Sequence, residues 1–288
     1  MKIIICGAGK VGTSIARHLV VQGSDVTVID SSRKLRLLKF CLGLLLLVFG
    51  FWTVSILGIP LDRLFGLFGR LGSMLANRIF PPDLVYATDW KILMSIIETI
   101  EMSILGALYG TIITIPLAWW ASWNITPSRL ILYPVARSII VISRSFPVLI
   151  LGFLLVAIFV YGPFAGVLAL TIGTIGFSGK LMAEQAESID MGPVEAMRAT
   201  GAGPLKVFVI GIWPQVKPAW IGIMIYNWDA RLRGSAILGF VGAGGIGLHL
   251  RLQISQLEYH AAMGIITLIV VLVIMSETIS HFLRERFR

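Results

Sequence analysis

The sequence predicts an all-α membrane protein with about six transmembrane helices, preceded by a short β-α-β fragment. Three observations lead there. Hydrophobic residues make up 57% of the chain and charged residues 14%, about half the charged share of an ordinary soluble domain. Mean hydropathy is +0.88. Long apolar runs recur, and the basic residues behind the net charge of +9 sit between and beside those runs, as they do at the cytoplasmic flanks of membrane spans. That placement argues against a nucleic-acid-binding protein, whose basic residues would gather in one patch or stripe.

Residues 1–32 differ from the rest. Lys2 to Cys6 reads as a short buried strand, Gly7-Ala8-Gly9-Lys10-Val11-Gly12 follows, and a helical stretch to about Val21 ends at Gly23. Asp25 to Asp30 reads as a second strand. This is the strand–GxGxxG–helix–strand–Asp order of a Rossmann-like dinucleotide-binding unit. Gly7, Gly9 and Gly12 would let the backbone approach a pyrophosphate, and Asp30 would meet a ribose hydroxyl. A working domain needs further parallel strands covered on both faces. Here the chain turns at Arg33-Lys34-Leu35-Arg36 into an apolar run, and a fragment of about 30 residues buries no core of its own. The segment resembles the start of the nucleotide-binding domain of potassium-uptake regulatory proteins. Three readings stand: a vestigial fusion or misplaced gene start, a docking piece completed by another chain, and a nucleotide sensor. Its first apolar stretch leads into a glycine turn, so no cleavable signal peptide is expected. Cys6 and Cys41 suggest neither a disulfide framework nor a metal site.

A helix needs about 20 apolar residues to cross the hydrocarbon core. Residues 40–61 carry no charge and are assigned span 1. Residues 62–91 are mixed, and Leu64, Phe65, Phe68, Leu71 and Leu75 suggest an amphipathic interfacial helix ended by Pro81-Pro82. With span 1 they form a region 33–92 ahead of a core at 93–288. Span 2 covers about 93–121, with Glu98 and Glu101 near its start, a kink at Pro116, and Trp119, Trp120 and Trp123 as an aromatic belt. Residues 145–179 are uncharged and too long for one span, so Gly162-Pro163 divides span 3 (131–161) from span 4 (164–183). A polar stretch, 184–206, follows. Span 5 runs from near Pro218 toward Trp228, with Asp229, Arg231 and Arg233 after it and a glycine-rich piece at 234–248. Span 6 covers about 261–282. Arg33, Lys34, Arg36 and Lys39 flank span 1, and Arg284, Arg286 and Arg288 follow span 6, so both termini are expected in the cytoplasm.

The stretch near 190–215 carries the functional information. Asp190-Met191-Gly192-Pro193 opens a helix with Pro early and Glu195 in its first turn, and Gly201–Gly203 permits a sharp turn after it. The run from Glu195-Ala196-Met197-Arg198-Ala199-Thr200-Gly201 to Pro214 resembles the EAA coupling loop of ABC importer permeases. Glu195, Ala196, Gly201 and Pro214 fall in register. Met197 stands for the second Ala, Gly211 for the usual Ile and Trp213 for the usual Leu. Further segments, among them Arg144-Ser145-Phe146-Pro147, Gly162 to Leu170 and Leu238 to Gly247, are similar to phosphonate-type permeases. The resemblance implies a MetI-like permease fold in the bacterial inner membrane, importing phosphonate or a related phosphorus oxyanion. It also implies a periplasmic substrate-binding protein, cytoplasmic ATPase subunits that use ATP-Mg, and a second permease copy, identical or paralogous. No cofactor, metal or catalytic residue is expected on this chain. The alternatives are a membrane-tethered nucleotide-binding regulator and a secondary transporter.

Ionisable residues at membrane depth usually mark a route for cargo. Arg137 and Arg144 lie seven apart on span 3, and Arg231 and Arg233 follow span 5. All four are candidates for lining an anion pathway, because arginine forks suit phosphonate oxygens. Each could instead snorkel to an interface or pair with Asp229 or a glutamate. Gly239, Gly242, Gly244, Gly245 and Gly247 could serve close helix packing or form a re-entrant gate with amides open to an anion.

Overall fold

The computed structural model describes residues 2–6, 18, 20–21, 25–29, 31–56 and 66–286. The chain divides into two units, Met1–Ser73 and Met74–Arg288. In the first, β1 (Lys2–Cys6) and β2 (Asp25–Ile29) pair in parallel, from Lys2 opposite Asp25 to Cys6 opposite Ile29. Gly7, Gly9, Gly12 and Asp30 lie outside the described residues. Helix α1 (Ser31–Ile56) follows, and its apolar part is Leu37–Thr53. Leu42, Leu47 and Phe51 are exposed along it, as expected of a helix that is apolar all round. The helix starts before the expected residue 40, and residues 57–61 of the expected span lie outside the described residues. Helix α2 (Leu67–Met74) falls within the segment expected to be amphipathic.

In the second unit a π-helical turn, Leu75–Ile79, leads to α3 (Leu84–Ala87) and α4 (Trp90–Trp120). Asp83 and Asp89 cap the two helices through their side chains. Serine and threonine hydroxyls along α4 turn back onto its own carbonyls, as Thr99 does onto Ser95 at 2.7 Å and Thr114 onto Gly110 at 2.6 Å, which satisfies them without water. Gly106 and Gly110, four apart and so on one face, meet Leu170 and Thr174 of α7 (Pro163–Glu187). Small residues let the two helices approach closely, which is how membrane helices gain packing energy in lipid.

The expected third span is two helices. Helix α5 (Leu132–Ser145) and α6 (Val148–Phe159) meet at 89°. Pro147 cannot donate a helical hydrogen bond and holds Phe146 in extended backbone, φ −96° and ψ 122°. Helix α7 runs past the expected residue 183 to Glu187, with Lys180 paired to Glu184 on its surface.

Helix α8 (Gly192–Ala199) is a separate stub. Next come α9 (Pro204–Lys206), a π-helical segment Val207–Ile212, and α10 (Trp213–Leu238), which reads as one long element from Pro204 to Val241. Span 5 is therefore longer than expected, and Asp229, Arg231 and Arg233 lie inside the helix rather than after it. They are accommodated because Asp229 pairs with Arg233 one turn on and Arg231 bonds Asn227 one turn back. Helices α11 (Ile246–Ser255) and α12 (Tyr259–Arg286) complete the unit.

Among the described residues, four elements are long and apolar enough to cross a membrane, and the bent α5–α6 pair makes a fifth if it counts as one span. The core has three clusters. One joins Leu117, Ile140, Met182, Val194, Ile212 and Trp220. The second joins Met102, Leu151, Leu170 and Leu238, and the third Ile92, Ile246 and Ile265. Trp119 and Trp120 pack against the first cluster, and Trp119 lies 4.6 Å from Phe208. Only Trp123 of the expected belt is exposed, because the other two, inside α4, are drawn onto that cluster.

Candidate functional site

Helix α8 is seated on the bundle by one side. Val194 is fully buried and Met197 packs on the first core cluster, while Glu195, Ala196 and Arg198 stay exposed. The Asp190 carboxylate accepts from the Gly192 amide at 3.0 Å and opens the helix. At the other end the Thr200 amide donates to Ala196 O at 3.3 Å and the Gly201 amide to Arg198 O at 3.0 Å. Gly201 has φ +74°, a left-handed geometry that costs any L residue. Pro214 is exposed on the first turn of α10. Gly211 lies beside α8, where a Cβ would make ordinary contact with Pro193 O at 3.4 Å. Sequence reading missed Gln215, whose amide exchanges hydrogen bonds with the Asp190 backbone at 3.1 and 3.2 Å. An amide side chain directly after the Pro214 position was the available signal. Beside α8 a cleft of about 620 Å³ is lined by Asn124, Ser128, Arg129, Arg198 and Pro204.

The four arginines separate. Arg137 donates to Glu187 at 2.6 Å and to Ala121 O at 2.7 Å, tying α5 to α7 and to the end of α4. Arg233 is held by Asp229 at 2.7 Å, and Ser276 of α12 donates to the same carboxylate at 2.7 Å. Arg231 is 8% exposed. Its Nε donates to Asn227 Oδ1 at 3.1 Å, and Asn227 donates on to Thr174 Oγ1 at 3.2 Å. Arg144 is exposed in the last turn of α5, with its backbone against Gly176 of α7. Asn227 was not singled out from sequence, although its place four residues before Arg231 puts the two on one helix face.

The glycine-rich piece is a packing and capping device. A Cβ at Gly247 would strike Ala236 O, and one at Gly239 would lie 2.5 Å from Gly247 Cα. The amides at the start of α11 are taken: Gly245 donates to Glu98 at 2.9 Å and Ile246 to Thr99 Oγ1 at 2.8 Å. Glu98, a charge at the head of an apolar span, is explained by this cap.

Residues 114–288 match the family described as binding-protein-dependent transport system inner membrane component. The chain belongs to that family. This inner membrane component is 36% identical over 214 residues to the phosphite transport system permease protein PtxC of Stutzerimonas stutzeri, covering 74% of this chain and 77% of the relative. It is 39% identical over 211 residues to the phosphate-import permease protein PhnE of Mycolicibacterium smegmatis, covering 73% of this chain and 39% of that one. Its fold matches a chain of the inward-facing MetNI methionine ABC transporter with a TM-score of 0.61 at 23% identity, over 69% of this chain and 97% of that one. The MetI-like architecture is therefore shown, and the chain is a multi-pass permease subunit of a transport system. Residues 3–40 match the TrkA-N domain, in keeping with the parallel β1–β2 pair.

Proposed function

We propose that the chain forms, with a second permease copy, the passage of an ATP-driven importer that carries phosphonate or a related phosphorus oxyanion such as phosphite into the cytoplasm. The observation that carries this reading is α8. It is a short helix anchored by buried Val194, clamped at its start through Asp190 and Gln215, and open to a neighbour through Glu195 and Ala196. A rigid stub of this kind can sit in a groove of an ATPase subunit and pass that subunit's motion to α10 as a rigid body. Glu195, Ala196, Gly201 and Pro214 make the docking segment, and ATP-Mg is bound and hydrolysed on the partner. A periplasmic binding protein delivers the substrate, and both termini face the cytoplasm. The relatives named for phosphite and phosphate import support the substrate class.

Residues 1–32 are a passenger on this reading, residues 33–92 a leading span and interfacial segment, and residues 93–288 the transporting core. Co-purification of the tagged chain with its ATPase, followed by ATP-dependent phosphite uptake into vesicles, tests the function. A chain that binds no ATPase and transports without ATP would instead be a secondary transporter. Transport that fails on removal of residues 1–32, with membrane insertion intact, would favour the nucleotide-binding regulator.

A further inference from the structure

The guanidinium of Arg231 and the elbow between α5 and α6 meet on one face of α7. A Cβ built on Gly173 would lie 2.6 Å from Val148 Cγ2 and 2.7 Å from Arg231 Nη1. The first residue of α6 and the end of the arginine therefore flank the same glycine. One turn along α7, a Cβ built on Gly176 would lie 2.6 Å from the Arg144 backbone nitrogen. The elbow thus rests on α7 beside Arg231.

Two independent features of this spot call for an anion. The first is Arg231 itself, 8% exposed inside a span. Only its Nε has an acceptor, Asn227 Oδ1, and no carboxylate lies within ion-pair distance of it among the described residues. The nearby Asp229 is already engaged by Arg233 and Ser276. Phe177 lies 6.0 Å from Arg231 Cζ and supplies a π face but no counter-charge. The terminal nitrogens of Arg231 have no acceptor among the described residues yet are not sealed among the buried unpartnered atoms, and a cation held inside a span is costly unless something anionic visits it. The second feature is the start of α6. It has no side-chain cap, and the first of its amides to find acceptors are those of Ile150 and Leu151, both on Pro147 O. Those of Val148 and Leu149 find none among the described residues. The positive end of a discontinuous helix, bare of a cap, is the arrangement by which transporters meet anionic groups within the membrane.

We propose that Arg231, oriented by Asn227, and the open amides at the start of α6 form an oxyanion subsite on the transport route, taking the tetrahedral phosphorus head of the substrate. The subsite rests on the importer reading above. The guanidinium fork bonds two oxygens of the head and the helix start takes a third. The Asn227–Thr174 link holds the fork between α10 and α7, so relative movement of those helices breaks the subsite and releases the anion. Arg137, tied to Glu187, takes no part.

The test uses the chain assembled with its ATPase and binding protein in vesicles, with inorganic phosphite as probe, and the purified complex in thermal unfolding with phosphite titrated at constant ionic strength. Arg231→Met removes the cation. Asn227→Asp keeps the arginine but places a carboxylate against it, and it decides the matter if Arg231→Met fails to assemble. Each variant is expected to lose phosphite uptake by about tenfold or more, the worth of one charge-assisted contact. Each should also lose the stabilisation by phosphite while keeping ATPase co-purification. Wild-type uptake together with undiminished phosphite stabilisation in either variant overturns the subsite and leaves the importer reading standing. Failure of the wild-type complex to import any phosphorus oxyanion overturns both.

Discussion

Gln215 and Asp190 hold each other by a reciprocal pair: the Asp190 amide donates to Gln215 Oε1 at 3.1 Å and Gln215 Nε2 donates to Asp190 O at 3.2 Å. Gln215 stands in the first turn of α10 and Asp190 just ahead of α8, so the stub and the long helix are joined by a side chain as well as by the intervening loop. Gln215→Ala should slacken this joint. The expected result is ATPase co-purification at the wild-type level with substrate uptake lowered several-fold, read by uptake and ATPase assays on the same vesicles.

Glu195 projects from the exposed side of α8, where charge reversal disturbs no core contact. Glu195→Lys should insert normally into the membrane and lose most of the ATPase on purification. Gly201 sits at φ +74° with open space around its Cβ position, so Gly201→Val acts through backbone strain of about 1–2 kcal/mol rather than through a clash. It should shift the turn and reduce co-purification, and Gly201→Asn, which tolerates the left-handed region, should reduce it less.

Glu98 and Thr99 together close the start of α11. Replacing them by Ala and Val leaves two buried amides unpaired. Thermal unfolding in detergent should show a loss of about 1–2 kcal/mol, as for other lost caps. Glu98→Gln, which keeps an acceptor for Gly245, should lose less.

Arg137 and Glu187 form a partly buried pair at 2.6 Å, and Glu187 also accepts from the Trp123 amide at 3.0 Å. A double-mutant cycle with Arg137→Met and Glu187→Gln should give a coupling energy of about 1 kcal/mol in unfolding measurements. Neither variant should change the dependence of uptake on phosphite concentration.

The sequence alone determined the membrane class, the strands of the first unit and the position of the α8 segment. Each depends on local information: apolar run length against bilayer thickness, strand-length apolar runs, and the proline and glycine that begin and end a short helix. Of the six expected spans, four, or five with the bent pair, are long and apolar enough to cross among the described residues, and the helix at the expected first span is not one of them. Tertiary structure decided the rest. Pro147 was visible in the chain, but only the packing of α5 and α6 against α7 made its break an 89° elbow. Four arginines looked alike from sequence because their roles depend on partners far along the chain. Arg137 finds Glu187, Arg233 shares Asp229 with Ser276 of α12, and Arg231 finds Asn227 and the ring of Phe177. The open gate considered for the glycine run gave way to a capped helix because Glu98 and Thr99 arrive from a helix about 147 residues earlier. Run lengths and turn residues act on neighbours in sequence and can be read directly. The state of a charge or an amide in lipid is set by whichever helix lies beside it, and that is a property of the assembled bundle.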